Sequence, residues 1–549
     1  MHKMLNYLAL VELSLALAVS WSARAETFEE MVAMPDGTRL YTYGIRPAAG
    51  VKCPIVIQRN PYVAEKRADL AAFEKSQARN IARGYAYLVQ HCRGCGMSEG
   101  DWIPYENERS DGLALLEWVR KLPWYNGELF LEGGSYLASV HWSYLDTNPP
   151  DVKGACLLIQ DVNRYNIAYR NGFFKAGLHG GWFARGYKKK NHALRRDKSV
   201  SFADFPLMDY SRRYWGETVP ALDNKIAHPR ADDPYWSSRE AGSGSDYRRA
   251  FMDSSMPILL KTGFYDIYTE GVCDMWRETP RSRLANCALL IDAYDHGGKM
   301  ANDMKGTFGE FPGGARGDEG VSSLDWFDYC RTGKPCANAT PGKVRYYALW
   351  ENRWVEADSV ADGTHRVEFP LGEGERSWIY DPRRPLPNFP GSGGICFGGM
   401  RKQPEPDFRD DVVSFVLPPL AERLDVRGRM KVVLSAKSDC EDTCFYARVS
   451  VRKPDGVWYL LRDDITSLSA AGGDYVPGAM RRVEFRFADH AFRLEKGDRL
   501  RVDVASACSQ FAPHGNVKGL QSAVREPKVA HNAIDARQSW LVLFDCAQQ

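Results

Sequence analysis

The sequence has almost no net charge for its size: 72 Lys and Arg against 70 Asp and Glu leave +2 over 549 residues. A surface that gathers nucleic acid or an anionic membrane needs a basic excess, so neither partner is expected. Internal repeats and low-complexity segments are also missing, which excludes solenoids and disordered linkers as the main architecture. Beyond the N-terminus no apolar run is long enough to cross a bilayer. What is present is 44% hydrophobic and 26% charged residues, the balance of a well-packed globular chain, long enough for two or three domains. Fifteen Trp, 27 Tyr and 24 Phe suit sheets and apolar pockets.

The opening "MHKMLNYLALVELSLALAVSWSARAE" reads as an export signal over residues 1–25. It has a short basic start, an apolar stretch from Leu8 to Val19, and an Ala23-Arg24-Ala25 cleavage site. A periplasmic or secreted protein is expected, with no membrane attachment after cleavage. Thirteen cysteines, all beyond the signal, fit an oxidising compartment. Cys330 with Cys336 and Cys440 with Cys444 are close enough in sequence to pair, and the odd count leaves at least one thiol over. "HCRGC" (His91, Cys92, Cys95) offers three ligands on one short loop, which reads as a turn carrying two cysteines; no metal is expected.

Strands and helices alternate through the first part of the chain. "CPIVIQRNPY", "YAYLVQ" and "GELFLEG" are strand-like, while "DGLALLEWVRKL" and "SYLASVHWSYL" have helical spacing, so a parallel α/β sheet is expected. From about Asn163 to Ala250 glycines, aromatics and the run Lys188-Lys189-Lys190 break that pattern, as an insertion lying over the sheet would. Sheet character returns in "MPILLKTGFYD" and "CALLIDAYDH", followed by a glycine-rich loop and a short helix, "SSLDWFDYCRTG". From Val344 onward short strands separated by turns read as a β-sandwich or jelly roll.

Two serines compete as a nucleophile. "GMSEG" around Ser98 is the perfect G-x-S-x-G match, yet a nucleophile elbow needs a strand running straight into the serine and a helix starting at once after it. Ser98 has the loop "HCRGCGM" before it and Pro104 soon after. Ser135, in "LFLEGGSYLA", has the strand, two glycines and the helix. By pattern alone a serine capping an ordinary helix looks the same. Asp266 and His296 follow at successive strand ends in the order Ser, acid, His. Asp292 and Asp295 compete with Asp266 as the acid but lie close to His296 in sequence.

These residues resemble the cocaine-esterase and X-prolyl dipeptidyl-peptidase family of serine hydrolases. "MPDGTRLYT" and "IQRNPY" are similar to its opening motifs, and "VQHCRGCGMSEG" to its Q-D-x-R-G-x-G-x-S-x-G stretch, with His91 in place of Asp. The last likeness makes GMSEG a structural loop. "ENERSDGLALLEWVRKLPWYNGELFLEGGSYLA" resembles the block that carries the nucleophile, with Ala138 where the family has glycine. "GFYD" matches the acid motif, and "DAYDH" departs from G-P-W-x-H. "HPRADDPYWSSR" looks like the family's cap and "YDPRRPLP" like the start of its last domain.

The resemblance implies an α/β-hydrolase domain (26–162 and 251–343), a helical cap inserted at 163–250, and a C-terminal, galactose-binding-like β jelly roll at 344–549. It implies Ser135 as nucleophile, His296 as general base and Asp266 as its orienter. Tyr62 and the backbone N–H of Tyr136 would form the oxyanion hole, with no cofactor. Relatives that demand a free α-amino group carry acids just after the triad Asp; here Glu270 is the first acid, and Tyr268 reads as one wall of an apolar acyl pocket. A small ester or amide with a neutral acyl group is therefore the expected substrate. An X-Pro aminopeptidase, an exported ligand-binding protein without catalysis, and a homo-oligomeric state stay open.

Overall fold

The computed structural model describes residues 25–47, 50–160, 162, 164–187, 195–237, 247–297, 321–387 and 399–546. Apart from Ala25 the segment expected to be an export signal lies outside the described residues, as do the lysine run at 188–190 and the glycine-rich loop ending at 320.

Ten strands form the first sheet: β1 (Glu26–Ala33), β2 (Arg39–Arg46), β3 (Cys53–Asn60), β4 (Ala86–His91), β5 (Tyr125–Gly134), β6 (Val152–Leu158), β7 (Ile258–Tyr265), β8 (Ala288–Asp295), β9 (Val344–Ala348) and β10 (Arg353–Ala357). Their spatial order is β1-β2-β4-β3-β5-β6-β7-β8-β9-β10. The pairs from β4–β3 to β8–β9 are parallel, whereas β2 runs antiparallel to both neighbours and β10 antiparallel to β9. The central strands are apolar on both faces because both are covered. On β5, Leu129 and Leu131 enter the core on one side and Phe130 that on the other.

Helix α1 (Glu108–Val119) buries Leu115, Leu116 and Val119 against the sheet. It starts three residues before the Asp111-Gly112 point expected from sequence, because Glu108 and Asp111 turn inward toward Arg59. Acids in a first turn also suit the helix dipole.

The inserted region forms its own apolar cluster, including Tyr169, Phe174, Phe183, Trp215, Leu222 and Trp236. Its expected end at Ala250 falls inside the helix Tyr247–Asp253. Tyr247, Ala250 and Phe251 of that helix pack into the sheet's core, with Tyr247 stacked on Trp142 at 6.1 Å. The strands β9 and β10, which follow the expected start of the last domain at 344, hydrogen-bond to the first sheet. Alternation identified them as strands but carries no information about which sheet they join.

The β-rich C-terminal region holds two antiparallel sheets. One is built on the 16-residue strand Ala530–Asp545; the other has the order Lys402–Gln403, Trp458–Ser467, Cys444–Arg452, Arg499–Ala505, Val413–Pro419. Val432 and Leu434 of the first meet Phe445, Val449 and Val502 of the second in one core. The 12 described cysteines are all free thiols, so neither Cys330–Cys336 nor Cys440–Cys444 is bridged.

Asp292, on β8, is buried and pushed up to about 6 by desolvation, with the Ala293 N–H and the charge of Lys261 opposing. In the unfolded chain it titrates near 4. Between those values the folded state holds a proton that the unfolded state has released, so stability falls as pH rises through that window and stays lower above it. Asp292→Asn keeps the acceptor without the charge. It should stabilise the protein by on the order of 1–3 kcal/mol above pH 6 and by nothing near pH 4. Denaturant midpoints at about pH 4 and about pH 8 measure this; a loss of stability at the higher pH would contradict it.

Candidate active site

Ser135 stands between the last residue of β5 and helix α2 (Tyr136–Trp142), with φ 57° and ψ −126°. A non-glycine residue at such angles costs about 1–3 kcal/mol and persists only where its surroundings hold it. Here the Ser135 N–H donates to Leu158 O on β6 at 2.9 Å. The turn is tight: a Cβ on Gly133 would lie 2.2 Å from Leu137 O, so only glycine lets the helix close onto the strand. The smallness of Ala138, fully buried, serves the same crossing.

Ser98 is held quite differently. It is fully buried, and its Oγ donates to His91 O at 2.8 Å and accepts from the Tyr41 N–H at 2.9 Å. The GMSEG glycine Gly96 (φ 52°) packs its Cα against the His91 ring, where a Cβ would sit 2.4 Å from Nδ1. The perfect motif is a structural loop tying β4 to β2.

His296 follows β8 directly. Its Nε2 lies 2.8 Å from Ser135 Oγ and its Nδ1 3.1 Å from Asp266 Oδ1. Asp266, one residue past β7, has a side chain with no exposed surface. It accepts from the Tyr268 N–H at 3.1 Å and from Thr262 Oγ1 at 3.2 Å, which fixes the carboxylate's rotation. Of the competing acids, Asp292 accepts from the Ala293 N–H and Asp295 from the Gly297 N–H, while the imidazole bond goes to Asp266.

Around the serine the side chains are aromatic. Tyr136 meets Tyr105 at 4.8 Å, Trp182 at 5.4 Å, Trp102 at 5.7 Å and Tyr62 at 6.5 Å between ring centroids. Trp182 comes from the inserted cap, and its indole N–H donates to Tyr62 Oη at 3.0 Å. The N–H of Tyr136 belongs to the first turn of α2, where helix N–H groups have no partner within the helix. Tyr268 packs its edge on the His296 ring at 5.3 Å. All six residues singled out in the sequence thus fall in one place. Trp102 and Trp182 were not singled out: one sits in a loop, the other in a helix of six residues that shows no clear periodicity.

Behind Tyr136 lies a buried ionic network. Its hydroxyl donates to Glu108 Oε1 at 2.8 Å and accepts from the Tyr105 N–H at 2.8 Å. Glu108 Oε2 pairs with Arg59 at 3.0 Å, and Arg59 also donates to Gln90 Oε1 at 3.0 Å. Burial raises the Glu108 carboxyl above its usual range, and Arg59 opposes this. Glu270, the first acid after Asp266, pairs with Arg170 of the cap, which also bonds Asp464 of the C-terminal region at 2.7 Å.

The sheet order, with a strained serine where a central strand enters a helix, defines the α/β-hydrolase class of serine hydrolases. Residues 36–298 match the X-Pro dipeptidyl-peptidase (S15 family) model, and residues 338–542 the X-Pro dipeptidyl-peptidase C-terminal non-catalytic domain. The chain belongs to this family of serine hydrolases. It is 23% identical over 489 residues to the cocaine esterase of Rhodococcus sp. (strain MB1 Bresler), covering 80% of this chain and 82% of that protein. In fold it is similar to an aminopeptidase from a marine sediment archaeon, Thaumarchaeota archaeon (TM-score 0.76, 17% identity, 95% of this chain and 96% of that one). It is also similar to an α-amino acid ester hydrolase (TM-score 0.75, 18% identity, 95% and 97%).

Gly133→Ala should misassemble the turn and lower the thermal midpoint by several degrees, because the new methyl meets backbone atoms. Gly134→Ala, whose nearest neighbour would be 3.6 Å away, should melt as the native protein does. Differential scanning calorimetry of the pair decides; equal midpoints would contradict the close approach.

Proposed function

We propose that the protein is an exported serine hydrolase that cleaves esters or amides of neutral acyl groups through an acyl-enzyme, with Ser135, His296 and Asp266 as its triad. The observation that carries this reading is the continuous relay of 2.8 and 3.1 Å from Ser135 Oγ through the imidazole to Asp266. A serine hydroxyl is a weak nucleophile until a neighbouring base takes its proton. His296 Nε2 accepts that proton as Oγ attacks the carbonyl carbon, and Asp266 holds the Nδ1–H tautomer and the imidazolium that forms. The carbonyl oxygen becomes an oxyanion, received by the Tyr62 hydroxyl and the Tyr136 N–H. The Trp182 N–H bonded to Tyr62 polarises that phenol toward donation. The imidazolium then protonates the leaving alcohol or amine as the tetrahedral intermediate collapses. Water, deprotonated by the same nitrogen, attacks the acyl-serine, releasing the acid and restoring Ser135.

The acyl group faces Tyr268 and the aromatic cluster, which favours an apolar acyl chain. An aminopeptidase would hold its substrate's ammonium with a carboxylate. Glu270 is already engaged by Arg170, which supports the neutral-acyl reading over the X-Pro aminopeptidase reading that the family model suggests. Export rests on the N-terminal sequence.

Ser135→Ala should keep its fold and lose on the order of 10⁴-fold or more in kcat on an acyl p-nitrophenyl ester. Ser98→Ala should stay active, at a stability cost of about 1–3 kcal/mol for the polar groups it leaves unpaired. The same assays with an X-Pro p-nitroanilide set the specificity. Faster anilide than ester turnover would reverse the ranking, and an active Ser135→Ala would overturn the nucleophile.

A further inference from the structure

A second cavity, of about 800 Å³, lies between the cap and the C-terminal β domain and is lined by none of Ser135, Asp266, His296, Tyr62 or Tyr268. Its size is in the upper range of small-molecule sites. The cap supplies aromatic walls, among them Tyr165, Tyr169, Phe173, Phe174 and Phe202, and the β domain adds Tyr475. Tyr165 and Tyr169 are stacked at 5.5 Å with their planes 9° apart. The walls are tied together: the Ala512 N–H donates to Phe174 O at 2.9 Å, and Asn171 Nδ2 to Ile465 O at 2.8 Å. The cavity is therefore held open by the fold and is not a loose seam.

Carboxylates outnumber bases along its walls. Asp204, Asp232, Asp233, Glu441, Asp442 and Asp474 face two basic side chains, Arg230 and Lys518. Both bases sit in ion pairs with Asp232 and Asp474 whose members are each at least 62% exposed. Exposed pairs of that kind are weak and exchange readily, so the summed field over the cavity stays negative. Asp442 lies deeper, bonded by His514 Nε2 at 3.3 Å and by the Thr443 and Ser469 N–H groups. Ser522, 5% exposed and lining the same space, has an Oγ with no hydrogen-bond partner. A buried hydroxyl left without a partner is costly, and a ligand N–H would satisfy it.

We propose that this cavity is a binding site for a ring-bearing organic amine in its protonated form. Aromatic faces are negative and attract cations, the carboxylate excess repels anions, and Ser522 Oγ can accept a hydrogen bond from the ammonium N–H. The site stands apart from the ester-cleaving centre. The row Phe174, His179 and Trp182, with centroids 6.0 and 6.2 Å apart, separates the cavity from the aromatic cluster at Ser135.

Calorimetric titration of the full chain with 1-naphthylmethylamine, 1-naphthylmethanol, 1-naphthoate and methyl glucoside tests this. The amine should bind one to one, at least about tenfold tighter than the alcohol. It should weaken several-fold between about 50 and about 500 mM NaCl, and also in the Asp232→Asn/Asp474→Asn protein. Ser469→Trp, which fills the cavity from its rim, should abolish binding while leaving p-nitrophenyl ester turnover unchanged. Ser522→Ala gives a milder, fold-preserving loss. Equal affinity for the alcohol, preference for the glucoside or naphthoate, no binding of the amine, or amine binding unaffected by Ser469→Trp and Ser522→Ala would each overturn the proposal.

Discussion

The guanidinium of Arg59, with no exposed surface, is the point to which the parts of the candidate active site are tied. It reaches Gln90 at the end of β4, both the carboxylate and the backbone carbonyl of Glu108 at the start of α1, and through Glu108 the hydroxyl of Tyr136. Tyr136 is the residue after Ser135, so the first turn of the helix that follows Ser135 is anchored from below by a charge pair out of water. Removing one partner of such a pair typically costs about 3–5 kcal/mol, because the other charge stays buried alone. The network gives physical content to three sequence motifs at once: Arg59 from "RNPY", Glu108 and Asp111 from "ENERSDG", and Arg93 from "HCRGCG", which bonds Asp111 at 2.7 Å.

Asp266 is held from the other side of the molecule. Tyr265, the residue before Asp266, donates to Leu460 O at 3.1 Å and lies 3.0 Å from His490 Nε2, both in the C-terminal region. On the helix that follows, Arg277 pairs with Asp489 at 2.9 Å, and Arg170 joins Glu270 to Asp464. The β domain therefore bears on the loop carrying Asp266 and Tyr268, which gives a family with a separate non-catalytic domain a reason to keep it packed on the sheet. The cap contributes Trp182 and Arg170. Ser135, Asp266 and the aromatic roof over them are thus positioned by different parts of the chain, meeting over one sheet edge.

Much of this was legible in the residues. The tight turn at Ser135 could be read because strand, glycine, serine and helix follow without a gap, a geometric requirement that the complete G-x-S-x-G motif at Ser98 fails. That Asp266 and His296 lie near Ser135 could be read from their places just past apolar strands. What escaped reading depends on three-dimensional partners. Trp182 lies in a six-residue helix with no periodic signal. The strands at 344–357 alternate as any strand does, and their membership in the first sheet is set by β8. Proximity of Cys330 to Cys336 and of Cys440 to Cys444 in sequence did not bring a bridge. The aromatic, acidic cavity draws its walls from segments some 300 residues apart, Tyr165 and Ser469 among them, which no local pattern joins.

The most direct measurement is where a mechanism-based phosphonate attaches. Incubation with a fluorophosphonate, digestion and tandem mass spectrometry should find one phosphonyl group on Ser135, formed as Oγ displaces fluoride, and none when His296 is replaced by alanine. An adduct on Ser98, or an unmodified Ser135 peptide in a protein that turns over esters, would contradict the assignment of Ser135 as the nucleophile.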